Sequence, residues 1–175
     1  MLSYKSVSDF SAITHAGGNN ADWFHVSLKG TEMTIEQIAD TIAYCGLICH
    51  LCSAEDDCRC KTNNHCSKKK SPDGCFHYDC CVEKGFNGCW DCSDGICDKD
   101  MFAPIEVGRK SARRKLRAFI TCIKEEGVEK FSHYIMCNEQ NGVVYHRNGV
   151  YGDYDLNTEE EILCLLRYGE RSSNV

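Results

Sequence analysis

Apolar residues recur three and four positions apart over 109–126, where Leu116, Phe119, Ile120 and Ile123 fall on one helical face. A second stretch, 128–139, carries Phe131, Tyr134 and Ile135 at similar spacing, and Gly127 between the two predicts a helical hairpin. Val143-Val144-Tyr145-His146 and Val150-Tyr151 then flank Asn148-Gly149, the strongest short-range signal for a two-residue β-hairpin turn. Thr158 followed by Glu161 is a capping box that opens a last helix through Leu163, Leu165 and Leu166. An equivalent box at Thr34 and Gln37 predicts a short helix over 35–43 that delivers the chain to Cys45.

Elsewhere periodicity fails. Residues 1–32 sustain neither a helical nor a strand period, with Gly17, Gly18, Asn19 and Asn20 in succession, and read as a loosely ordered extension. From 45 to 97 neither period survives for long, apart from a short helix near 80–84 that Gly85 ends. The pattern predicts a small α+β protein in three parts. These are the extension over 1–32, an irregular cysteine-rich, metal-stapled module over 33–103, and a tail of helical hairpin, β-hairpin and C-terminal helix over 104–175.

Composition sharpens the middle part. Of fifteen cysteines, twelve lie between 45 and 97. The large apolar residues other than cysteine between 53 and 100 are Phe76, Tyr78, Val82, Phe86, Trp90 and Ile96. Their burial falls well short of the entropy lost in ordering that stretch, so something bound to sulfur must hold it. Residues 1–20 are polar and show no export signal. No apolar run approaches the roughly 20 residues that span a bilayer. A cytoplasmic protein without membrane contact is expected, where thiols stay reduced and clustered cysteines are metal ligands or catalytic groups. The odd cysteine count also fits complete disulfide pairing poorly.

Spacing names the candidate ligands. Cys45, Cys49 and Cys52 form C-x3-C-x2-C, and Cys89, Cys92 and Cys97 form another knuckle plus a third sulfur. Two thiolates separated by two residues can turn around one ion, because the backbone between them makes a tight knuckle. Cys58, Cys60, Cys75 and Cys80 complete the candidate metal set, with Cys66, Cys81, His50, His65 and His77 as further candidates. About two thiolate-rich sites are expected, with the pairing left open. Cys122, Cys137 and Cys164 belong to the tail helices and are left out of the site; Cys137 and Cys164 share their helices with apolar residues and read as small hydrophobes.

Tyr44-Cys45-Gly46-Leu47 with Cys49 and Cys52, Lys84-Gly85-Phe86-Asn87-Gly88-Cys89-Trp90-Asp91-Cys92, and Cys97-Asp98-Lys99-Asp100-Met101-Phe102 together resemble an uncharacterised prokaryotic cysteine-rich family, a domain of unknown function. The resemblance spans about 40–168, including Gly142 to His146 and Gly152-Asp153-Tyr154 in the tail. It implies a small metal-binding fold and no established activity. Gly95-Ile96 stands where that family has an aromatic–proline pair.

Three functions follow from these residues. A structural zinc module acting as an interaction or adaptor domain for another protein leads, because closed four-sulfur sites do no chemistry. No HExxH, Walker loop, Gly-x-Ser-x-Gly or deaminase signature is present, and no small-molecule substrate is implied. The alternative is a [4Fe–4S] protein in electron transfer or a redox enzyme component. The third is nucleic-acid binding through Arg109, Lys110, Arg113, Arg114 and Arg117, which share an arc beside the apolar face, with Lys68-Lys69-Lys70 as a second patch. A net charge of −6 argues against that third reading.

Overall fold

In the computed structural model, helix α1 (Ile35–Asp40) starts where its capping box predicts. Thr34 Oγ1 accepts from the Gln37 amide at 3.3 Å, and Gln37 Oε1 accepts from the Thr34 amide at 2.8 Å. Four further helices are each closed by local chemistry or by chain reversal. They are α3 (Phe76–Lys84), after a single turn α2 (Cys49–Cys52), then α4 (Lys110–Glu126), α5 (Val128–Gln140) and α6 (Glu159–Tyr168). Gly127, with φ of 88°, breaks α4 from α5, and α6 opens on the reciprocal Thr158–Glu161 box at 3.1 Å in both directions. Short 3-10 turns lie at Cys89–Asp91 and Asp100–Phe102. The structure describes residues 34–52, 74–103, 110–146 and 151–169, without the side chains of 50, 52 and 110–112. All fall in the compact unit Glu32–Val175.

Helix α4 is the centre of that unit. It packs against α5, α6 and both 3-10 turns, while α1 lies on α5. The fully buried Phe119 ring meets Phe131 at 5.2 Å, Tyr154 at 5.5 Å and Tyr145 at 6.2 Å between centroids. Asn138, also buried, donates Nδ2 to the Tyr154 hydroxyl at 2.8 Å and to the Leu165 and Leu166 carbonyls. It thereby caps the end of α6, where the Leu165 carbonyl also accepts from the Gly169 amide at 2.9 Å and the Leu166 carbonyl is among the last four that a helix leaves to other partners. One core cluster runs from Ile38, Ile42 and Ile48 through Trp90 and Phe102 to Leu165 and Leu166. The cysteine-rich stretch and the tail therefore share their apolar interior.

The α+β class is not what forms. Among the described residues the protein is helical, with no strand or sheet beyond an isolated bridge between Ile42 and Ile48. The expected β-hairpin has its turn, Asn148-Gly149, outside the described residues, and the described residues of its arms carry no strand. The Asp153 amide does donate to the Val144 carbonyl at 2.7 Å. The Val144 amide, however, goes to the Asp153 carboxylate at 2.7 Å, and the Gly152 amide to the Asp155 carboxylate at 2.8 Å. Side-chain carboxylates thus take the amides a ladder would use. Tyr145 and Tyr154 both turn into the core, and Gly152 lies so close to the His146 backbone that an added Cβ would stand 2.4 Å from its nitrogen.

Candidate metal centre

The first knuckle is shaped by the Ile42–Ile48 bridge. The Ala43 amide donates to the Leu47 carbonyl at 2.8 Å and the Cys49 amide to Thr41 at 3.1 Å, which folds residues 43–47 into a tight turn with Cys45 at its tip. Gly46 makes the turn possible with φ of 83°, a region costly for residues with a Cβ. A Cβ there would also meet Ile120 Cδ1 of α4 at 3.0 Å. Cys45 and Cys49 are both buried.

The second knuckle follows α3. Gly85 ends the helix with φ of 67°, and the Phe86 amide returns to the Cys81 carbonyl at 2.8 Å. Asp91 accepts from the Asn87 amide and side chain at 2.8 and 3.2 Å, closing the loop that carries Cys89. Gly88 is extended, and an added Cβ would stand 2.3 Å from the Trp90 ring that covers it. The two knuckles meet through the backbone, since the Cys89 amide donates to the Tyr44 carbonyl at 2.8 Å. Lys124 of α4 donates to the Cys92 carbonyl at 2.7 Å, and the Tyr44 ring sits edge-on to Tyr78 of α3 at 5.6 Å.

This packing brings sulfur to sulfur. Cys81 Sγ lies 3.8 Å from Cys89 Sγ, and His77 Nδ1 lies 3.4 Å from Cys89 Sγ. A cleft of about 670 Å³ opens beside them, lined among others by Cys80, Cys92, Cys97 and Phe86. The Cys89 thiol is pushed far above the ordinary thiol range. The hydrogen bond with Cys81 is the largest cause, then burial, then charge on Cys81, Cys45 and Cys97. The three neighbouring sulfurs thus oppose ionisation of Cys89, and a cation among them would reverse the sign of that interaction. Among the described residues no three His, Cys, Asp or Glu side chains form a ready cage around one point.

Other candidates are placed as follows. Cys75 is buried at the start of α3, and Cys80, Cys92 and Cys97 are half-buried at the cleft. Cys58, Cys60, Cys66, His65, Arg109 and Lys68 to Lys70 lie outside the described residues, as do the side chains of His50, Cys52 and Lys110. Cys122 is a core residue whose thiol burial pushes up to about 12, while Cys137 and Cys164 are half-buried. Two arginines of α4 are engaged internally: Arg113 donates to the Ala103 carbonyl at 3.3 Å, and Arg117 to Glu159 at 2.7 Å and the Phe102 carbonyl at 3.4 Å. Arg114 Nε is buried without a hydrogen-bond partner.

A second polar cluster escaped the sequence reading. Lys115, buried in α4, has Nζ 3.5 Å from Asp155 Oδ1 and 4.9 Å from the Tyr145 ring centre. Asp155 Oδ2 accepts from His146 Nδ1 at 2.7 Å. Burial raises the Asp155 carboxyl, but the Gly152 amide, His146 and Lys115 outweigh it and leave it below the usual range. The available signal was Lys115 itself, four residues before Phe119 and so at the margin of the apolar stripe.

Searches against family models, curated proteins and solved structures match nothing to this chain. No helix among the described residues is long and apolar enough to cross a membrane.

Proposed function

We propose that residues 34–103 hold a structural, thiolate-bound zinc ion and that the protein works as an interaction module for another protein. The observation that carries the reading is the 3.8 Å separation of Cys81 Sγ and Cys89 Sγ. Two sulfurs bound at about 2.3 Å to one tetrahedral zinc stand about 3.8 Å apart themselves. Cys45 and Cys97 are the best completing ligands, because their charge acts on Cys89 and the Tyr44–Cys89 backbone bond anchors the first knuckle beside the second. A closed set of four sulfurs leaves no position for a substrate, which favours a structural over a catalytic role. A [4Fe–4S] cluster gives each thiolate its own iron and spreads the sulfurs further apart, so the close pair favours a single ion. The exposed Tyr151 and Tyr168 rings are the aromatic surface offered to a partner.

Elemental analysis and the visible spectrum of anaerobically purified protein test the reading. Zinc bound to a colourless chain is expected. Iron with sulfide and a visible absorption band would replace it with the cluster, and a chain folded without metal would end both.

A further inference from the structure

The inference rests on the zinc reading above and concerns His77, whose imidazole α3 buries almost completely, edge-on to Phe102 at 4.5 Å between centroids. Its Nε2 faces the backbone amide of Met101 at 3.2 Å. A backbone amide only donates, so Nε2 presents its lone pair. The proton of the neutral ring is then on Nδ1, which lies 3.4 Å from Cys89 Sγ. The peptide that supplies the Met101 amide follows Asp100, the non-glycine residue with positive φ among those described, at 44°. Aspartate tolerates that conformation better than most side chains. The Asp100 carboxylate is 4.0 Å from Nε2, whereas a proton on Nε2 would confront the Met101 amide with a second donor.

We propose that His77 is not a metal ligand but a positioning residue, fixed in its Nδ1–H tautomer by the Met101 amide so that it donates to the Cys89 thiolate. Four thiolates around a divalent ion leave excess negative charge, and an N–H aimed at sulfur offsets it inside the fold. Partners of this kind typically change metal affinity about 10–100-fold when removed. The same bond draws electron density from the Cys89 sulfur and so slows its attack on electrophiles.

The test uses the full chain loaded with zinc or with cobalt as a spectroscopic substitute. His77→Phe should keep one metal per centre and the sulfur-to-cobalt charge-transfer band, yet weaken zinc binding about 10–100-fold and speed alkylation of the bound thiolates. His77→Asn, which can present an N–H near the Nδ1 position, should recover much of the affinity. Asp100→Asn, which keeps the Met101 amide and removes the carboxylate, should leave affinity near wild type. Nitrogen-15 NMR of the wild-type protein should report a proton on Nδ1 and none on Nε2. A metal-bound ring nitrogen, a doubly protonated ring, or a cobalt spectrum that changes its ligand set in His77→Phe overturns this proposal alone. Failure of the wild-type chain to bind zinc or cobalt overturns the metal centre and this proposal with it.

Discussion

The backbone amide of Cys89 donates to the carbonyl of Tyr44 over 2.8 Å, so the first residue of one cysteine knuckle is tied to the residue preceding the first cysteine of the other. Metal at the sulfurs would lock a junction that the backbone already forms. On the zinc reading proposed above, replacing Cys89 by Ser should lower bound zinc by about one ion per chain and loosen both knuckles, because it removes a thiolate. Cys164→Ser should leave zinc content unchanged. Plasma emission analysis of metal per chain separates them, and equal losses from both variants would refute the assignment. Chelation under reducing conditions should expose the amides of 43–47 and 86–92 to hydrogen exchange before those of α5.

Two glycines hold the knuckles for different reasons. Gly46→Ala forces a Cβ into the left-handed region and towards Ile120, and should cost about 1–2 kcal/mol from backbone conformation alone. Gly88→Ala has no such backbone penalty, because that residue is extended, but its Cβ cannot coexist with the Trp90 ring as placed. Urea midpoints should fall for both. Only Gly88→Ala should also shift the near-ultraviolet signal of a buried tryptophan, and its absence would show that Trp90 does not need the gap.

The Lys115–Asp155 pair is buried on both sides. Asp155→Ala removes the carboxylate that faces a buried ammonium and should destabilise the protein by about 3–5 kcal/mol. Lys115→Met combined with Asp155→Leu removes both charges and should cost clearly less than the single change. Denaturant unfolding of the three proteins decides the point; a single variant within about 1 kcal/mol of wild type would place the pair in water.

Glu126 sets an acid limit. Burial raises its carboxyl, but hydrogen bonds from Lys130 at 2.7 Å, Tyr134 at 2.8 Å and Arg167 at 2.6 Å outweigh it and hold it at about 2. A depressed carboxyl stabilises the fold fully above its unfolded pKa and loses that contribution as pH falls through the folded one. Stability should therefore decline between about pH 4.5 and 2. Glu126→Gln should flatten that segment of the curve, and an unchanged slope would assign the acid sensitivity elsewhere.

The helix starts were legible because their causes are local. Thr34 with Gln37 and Thr158 with Glu161 exchange bonds within one turn, and Gly85 and Gly127 end helices by their own conformational freedom. Asn148-Gly149 was an equally local signal, yet a β-hairpin also requires its arms to exchange amides. Asp153 and Asp155 compete for those amides, and the core claims Tyr145 and Tyr154.

Cysteine spacing by itself determined that sulfur concentrates in one segment with two knuckles, since the spacing is a property of the chain. Only the tertiary structure decided that Cys81 faces Cys89, that His77 turns its ring towards that sulfur, and that Arg117 is engaged with Glu159. It also decided that Lys115 is buried on Asp155. Each of these contacts joins residues that no single helical turn or knuckle relates: those of Arg117 and Lys115 depend on how α4 packs against the rest of the chain, and those of Cys81 and His77 on how the chain folds back from α3 to the Cys89 turn. That packing follows from burial of apolar area, which is non-directional and leaves no fixed spacing in the sequence.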